Sequence, residues 1–128
     1  MSKKIYWFSS LALLMGLLLS ACGGGGDGAG TGEELFAQPI IGTQAGCSTC
    51  HSVQPDTIIV GPSLAGIGTT ADTRVSGQSA EDYIRESIVD PEAYVVEGYQ
   101  SGTMPQVWAD ELSDEQLDQL IAYLVGLK

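Results

Sequence analysis

Residues 46–53 read GCSTCHSV and gather Cys47, Cys50 and His51, two of the chain's three cysteines and its single histidine. Three chemistries use such a cluster: dithiol exchange, half of a zinc site, or covalent attachment of haem. A dithiol of the thioredoxin kind belongs near a βαβ pattern, and this chain shows none. A structural zinc site wants four ligands, usually two spaced pairs. Here no second histidine exists, and the third cysteine, Cys22, stands in a different context. The haem reading uses every residue. In Cys-x-x-Cys-His the two thiols add across the vinyl groups of haem, and the next residue is directed at the iron. Cys47 and Cys50 are then the anchors and His51 the proximal ligand.

The N-terminus bears on this chemistry. Lys3 and Lys4 precede an apolar run from Ile5 to Leu19, followed by Leu19, Ser20, Ala21 and Cys22. A basic start, a short apolar segment and small residues form the layout of an export signal. Fifteen mostly apolar residues fall short of the roughly 20 that a spanning helix needs. The LSAC stretch resembles the lipobox of bacterial lipoproteins, which implies cleavage before Cys22 and acylation of that residue. Several acyl chains anchor stably where one is marginal. Residues 1–21 are thus expected to be a leader, 22–31 a lipidated cysteine with a Gly-rich tether, and 32–128 the folded domain. A ten-residue coil of this composition spans about 17 Å root-mean-square. Export suits haem attachment, which happens outside the cytoplasm.

Without residues 1–21, three cations (Arg74, Arg85 and Lys128) remain against sixteen acids, a formal −13. No basic surface is left to neutralise phosphates, which argues against nucleic acid as a partner. The charge favours a redox partner with a basic docking face. Processing would also leave Met104 as the sole methionine and Lys128 as the sole lysine. If the iron has a strong sixth ligand, elimination therefore points to Met104. A lone methionine more often fills a core. The stretch SGTMPQ instead sets this one in a polar Gly/Pro loop away from any apolar stripe.

Several elements must position these residues. Thr31 to Glu34 has the capping-box pattern, and Pro39 limits the helix it opens. A second short helix is expected over 45–52. Residues 52–77 read mostly as loop, punctuated by Pro55, Gly61, Pro62, Gly66, Gly68 and Gly77; TIIV at 57–60 is the one candidate extended piece. So long a loop is reasonable if it wraps a bulky cofactor. Ser79 opens a third helix with acids in its first turn, and Tyr83, Ile84 and Ile88, with Val89, face inward. Another loop covers 90–112. Ser113 to Gln116 is a second capping box, leading into Leu117, Leu120, Ile121 and Leu124 at i, i+3, i+4, i+7. The class is all-α.

From about Gly32 to Lys128 the chain resembles a class I c-type cytochrome with a single haem. The matching stretches are LF at 35–36, CSTCH, GPSL at 61–64, YIRESIVDP at 83–91, MP at 104–105, and LSDEQLDQLIAYL at 112–124. The resemblance implies three to five helices wrapped around one covalent haem c. It implies that the Pro62 carbonyl accepts a hydrogen bond from His51 Nδ1–H, fixing the ring, and that Leu64 packs on the haem. It also implies that Gly32 and Phe36 cross the last helix near Tyr123. AQPIIGTQA, between the first helix and the motif, is longer than usual for the family.

Residues and resemblance together lead to a membrane-tethered one-electron carrier with His51 and Met104 as axial ligands, working between membrane complexes on the periplasmic or extracellular side. The chain would then be no enzyme in itself. Two other readings stand beside it: an open-site haem protein (a gas sensor or peroxidase-like enzyme), and a fixed cytochrome subunit of a quinol-oxidising or terminal-oxidase complex. The anchor has its own test. Cys22→Ser should abolish lipidation and cleavage at that site, read by intact mass; wild-type protein that washes off membranes with salt alone would contradict the lipid anchor.

Overall fold

The computed structural model describes residues 30–128. The leader, the lipobox and Cys22 lie outside the described residues. Six helical segments and one small hairpin form the domain: α1 (Gly32–Ala37), β1 (Ile40–Ile41), β2 (Gln44–Ala45), α2 (Cys47–Cys50), α3 (Ile67–Arg74), α4 (Ala80–Val89), α5 (Trp108–Glu111) and α6 (Asp114–Gly126). The all-α expectation holds; α2 and α5 are single turns. Among the described residues, no helix is long and apolar enough to cross a membrane.

Both capping boxes form as the sequence implies. Thr31 N–H donates to Glu34 Oε2 at 2.8 Å while Glu34 N–H donates to Thr31 Oγ1 at 3.3 Å. At α6, Ser113 N–H donates to Gln116 Oε1 at 3.0 Å and Gln116 N–H to Ser113 Oγ at 3.2 Å. Orphan donors at both helix starts are thereby satisfied. Ser79 Oγ accepts from Asp82 N–H at 3.1 Å to open α4. The inward faces are those the periodicity marks: Tyr83, Ile84 and Ile88 on α4, and Leu117, Leu120, Ile121 and Leu124 on α6, are all buried. Val89 lies at the edge of the same core.

The close crossing of α1 and α6 is a glycine contact. A Cβ on Gly32 would stand 2.0 Å from the Gln119 carbonyl oxygen and 2.8 Å from Tyr123 Cβ. Hydrogen alone lets the two backbones meet. Phe36 and Tyr123 then pack with ring centroids 5.8 Å apart, tilted by 49°, a favourable aromatic geometry.

Three local readings need correction. Residues 52–77 are not all loop, because α3 occupies 67–74. Its start carries no side-chain cap, and Gly66 precedes it in a left-handed conformation (φ +67°). What stabilises α3 is tertiary. Gly68 N–H donates to the Leu127 carbonyl at 2.8 Å, and a Cβ on Gly68 would sit 2.0 Å from the Val125 carbonyl oxygen. Ala71, on the same helix, is fully buried. The loop over 90–112 likewise contains α5, with Trp108 buried in the core. No strand forms at 57–60; the strands are β1 and β2, pairing Ile40 with Ala45 and Ile41 with Gln44. Gly42, at φ +55°, is the first of two turn residues, the place where a II′ hairpin requires glycine. The long AQPIIGTQA stretch is this hairpin, pinned by Glu111, whose Oε1 accepts from Thr43 Oγ1 at 2.5 Å.

Gly32→Ala should destabilise the folded protein by about 1–3 kcal/mol, the usual cost of overpacking. Gly126→Ala, where an added Cβ meets nothing within 4 Å, should be neutral or stabilising by up to about 1 kcal/mol. Denaturant unfolding of the two variants checks this, and a Gly32→Ala protein as stable as wild type would contradict the close crossing.

Candidate functional site

Helix α2 places Cys47 and Cys50 one turn apart, with the chain leaving helical geometry at His51 (φ −119°, ψ 138°). His51 N–H still donates to the Cys47 carbonyl at 2.9 Å. The imidazole therefore projects just past the turn that carries the two thiols. Thr49 Oγ1 donates to the Gly46 carbonyl at 2.6 Å and tightens that turn. On its approach, Gly46 N–H donates to the Pro39 carbonyl at 2.9 Å, so the hairpin delivers the chain to α2.

The following loop folds back over the imidazole. The Cys50 carbonyl accepts from both Val60 N–H at 3.1 Å and Gly61 N–H at 2.9 Å. A Cβ on Gly61 would stand 2.4 Å from His51 Cε1, so only glycine fits against the ring. Next along the chain, the Pro62 carbonyl lies 2.9 Å from His51 Nδ1. A carbonyl can only accept, so Nδ1 carries the proton and Nε2 keeps its lone pair. Burial lowers the His51 pKa and outweighs the opposing pull of the Pro62 hydrogen bond. The ring is a neutral, oriented donor, as metal ligation requires. Leu64 N–H donates to the Ser52 carbonyl at 2.7 Å, holding the rest of GPSL against the same wall.

Cys47, Cys50, His51, Pro62, Leu64 and Met104 all line one open, mainly apolar cavity of about 280 Å³. That is near the lower end of ligand pockets, roughly 300–1,000 Å³. Met104 reaches it from the 90–107 loop, far along the chain from the cysteine turn. The structure thus brings together every described residue that the sequence marks as a site residue; Cys22 lies outside the described residues. Burial raises the Cys47 pKa, with Cys50 adding to the rise against a backbone hydrogen bond, whereas reactive thiols have depressed values. Neither Cys47 nor Cys50 is in a disulfide among the described residues. No group of three or more His, Cys, Asp or Glu side chains poised for a metal occurs among the described residues, so a four-ligand zinc site has no support there.

Two lining residues were missed in the sequence. Trp108 Nε1 and Arg74 Nε are buried, have no hydrogen-bond partner among the described residues, and belong to residues on the cavity wall. Orphaned donors on a mainly apolar cavity wall suit a ligand with anionic groups. Haem fits on this count: it is a flat apolar ring carrying two carboxylates. Arg74 ends α3, the helix hidden by its glycines. Trp108 lies in the stretch read as loop, ahead of the second capping box at Ser113, and a large aromatic there was its one available signal.

A family model described as Cytochrome c matches residues 29–128. No curated protein and no solved structure matches the chain. The family match covers the thiol turn, the imidazole held behind it and the cavity they face, and by it the chain belongs to the cytochrome c family, proteins of haem-based electron transfer whose haem c is covalently bound.

Proposed function

We propose that this chain is a membrane-tethered one-electron carrier whose haem iron is held by His51 Nε2 and the Met104 thioether. The observation that carries the proposal is that His51 and Met104 line one cavity while His51 Nδ1 is already engaged by Pro62. Cys47 and Cys50 supply the thioether anchors, Leu64 the apolar wall, and Trp108 and Arg74 the donors for the haem carboxylates. Bound haem supplies a one-electron couple at its iron. With His51 and Met104 both holding the iron, no place would be left for substrate, so the chain would act by placement and by docking. A neutral imidazole and a thioether add no negative charge, and the apolar lining disfavours extra positive charge; both effects raise the potential.

Lipidated Cys22 and the tether of residues 22–31 would hold the domain at the membrane on the exported side, free to tilt. Ile58, Ile59 and Val60 are each more than half exposed, and Val60 is hydrogen-bonded to the Cys50 carbonyl. No charged residue occurs from Thr57 to Ala71. This apolar platform beside the haem attachment suits a short-lived contact, while the formal −13 elsewhere favours a redox partner with a basic rim. Electron-transfer encounters are typically small and transient.

The test is Met104→Ala in the haem-loaded protein. The wild type should be low-spin, show the weak sulfur-to-iron charge-transfer band in the near infrared, and bind carbon monoxide slowly when reduced. The variant should lose the band, fall in reduction potential and admit carbon monoxide readily. A wild type that is high-spin, or that binds carbon monoxide as fast as the variant, would overturn the carrier reading.

A further inference from the structure

From residue 91 to 107 the chain has neither helix nor strand, yet it must deliver Met104 to the cavity. It does so through three successive turns. Ala93 N–H donates to the Asp90 carbonyl at 3.0 Å, Tyr99 N–H to Val96 at 3.1 Å, and Thr103 N–H to Gln100 at 3.4 Å. The last two carry Gly98 (φ +89°) and Gly102 (φ +76°) at their third positions, where a type II turn needs positive φ. Turns of this kind set local direction and leave open where the segment sits on the domain.

Glu92 joins the start of this segment to its end. Its Oε1 accepts from Gly102 N–H at 2.8 Å, and its Oε2 accepts from the Ser101 hydroxyl. Each carboxylate oxygen takes one donor from the two residues just before Thr103 and Met104. Glu92 itself follows the buried Pro91 at the end of α4, so the grip refers the loop to a fixed point of the core. These are the only side-chain hydrogen bonds made by residues 91–107 among the described residues. Resting on the reading of Met104 as sixth ligand, we propose that Glu92 is a positioning residue for Met104: it staples the 100–103 turn to the end of α4 and thereby keeps the thioether in the haem cavity.

The chemistry favours such a device. A thioether is neutral and a modest ligand, so its residence at iron depends on how well its loop is restrained. Hydrogen bonds to an ionised carboxylate are stronger than neutral ones. The Ser101 hydroxyl and then the Gly102 N–H hold the Glu92 carboxyl below its ordinary pKa, keeping it charged at neutral pH. Closing the loop from residue 92 to 102 also removes chain entropy that Met104 would otherwise have to overcome alone.

Imidazole titration of the ferric, haem-loaded protein tests this, because imidazole must displace Met104 to bind iron. Glu92→Ala should bind imidazole severalfold more tightly, with a weaker charge-transfer band. Glu92→Gln, which keeps an acceptor oxygen for Gly102, should restore most of the wild-type behaviour. In a Met104→Ala background, Glu92→Ala should change nothing further. Equal imidazole affinity in wild type and Met104→Ala would remove the sixth-ligand reading itself. Tighter binding in Met104→Ala with Glu92→Ala unchanged from wild type would overturn the staple alone. So would an equal gain from Glu92→Ala in both backgrounds, since the residue would then act on the cavity and not on Met104.

Discussion

The hydrogen bond from His51 Nδ1–H to the Pro62 carbonyl, 2.9 Å long, is the interaction on which the rest of the site depends. It decides which ring nitrogen is protonated, and so which can bind metal. It also fixes where the imidazole plane lies relative to the Cys47 and Cys50 thiols. That geometry exists because Gly61 brings the backbone against the ring, with no room for a Cβ. The Cys50 carbonyl holds the same stretch by accepting from Val60 and Gly61 together. Three consecutive residues, Val60, Gly61 and Pro62, thus tie the loop to the attachment turn and to its histidine.

Around this point the helices act as a frame of unequal depth. α1 and α6 cross at Gly32, and α3 docks its first turn on the end of α6 through Gly68. Both contacts place backbone against backbone, so they tolerate little adjustment. The 90–107 segment lacks that rigidity and carries the Met104 side of the cavity. The two sides therefore differ in kind: the imidazole is tied to the attachment turn and to Pro62 by short-range hydrogen bonds, and the thioether side hangs on turns and a few polar contacts. Segments of the latter kind open at lower free energy than the core.

Much of this was legible in the sequence, for identifiable reasons. CSTCH is local chemistry, readable without a fold. α1, α4 and α6 announce themselves through caps and apolar spacing, and Leu117, Leu120, Ile121 and Leu124 fall where periodicity places them. α3 was hidden because its reasons are not local: Gly66 and Gly68 look like loop punctuation until α6 stands next to them. Trp108 and Arg74 became site residues only once α5 and α3 turned them toward the cavity. TIIV has the composition of a strand, but its Thr57 N–H goes to the Gln54 carbonyl and its Val60 N–H to the Cys50 carbonyl, and its three aliphatic side chains are exposed. Glu92 carries no sequence signal at all, since its partners lie nine and ten residues away across irregular chain.

The central claim is that one cavity is lined both by a neutral His51, protonated at Nδ1, and by Met104, and that the two hold the haem iron between them. Proton NMR of the reduced, haem-loaded protein reads both halves at once. The account predicts a single methionine methyl, that of Met104, shifted far upfield by the haem ring current, and a His51 Nδ1–H slow to exchange with solvent. A Met104 methyl at its ordinary position, or a His51 ring proton that exchanges freely, would contradict it.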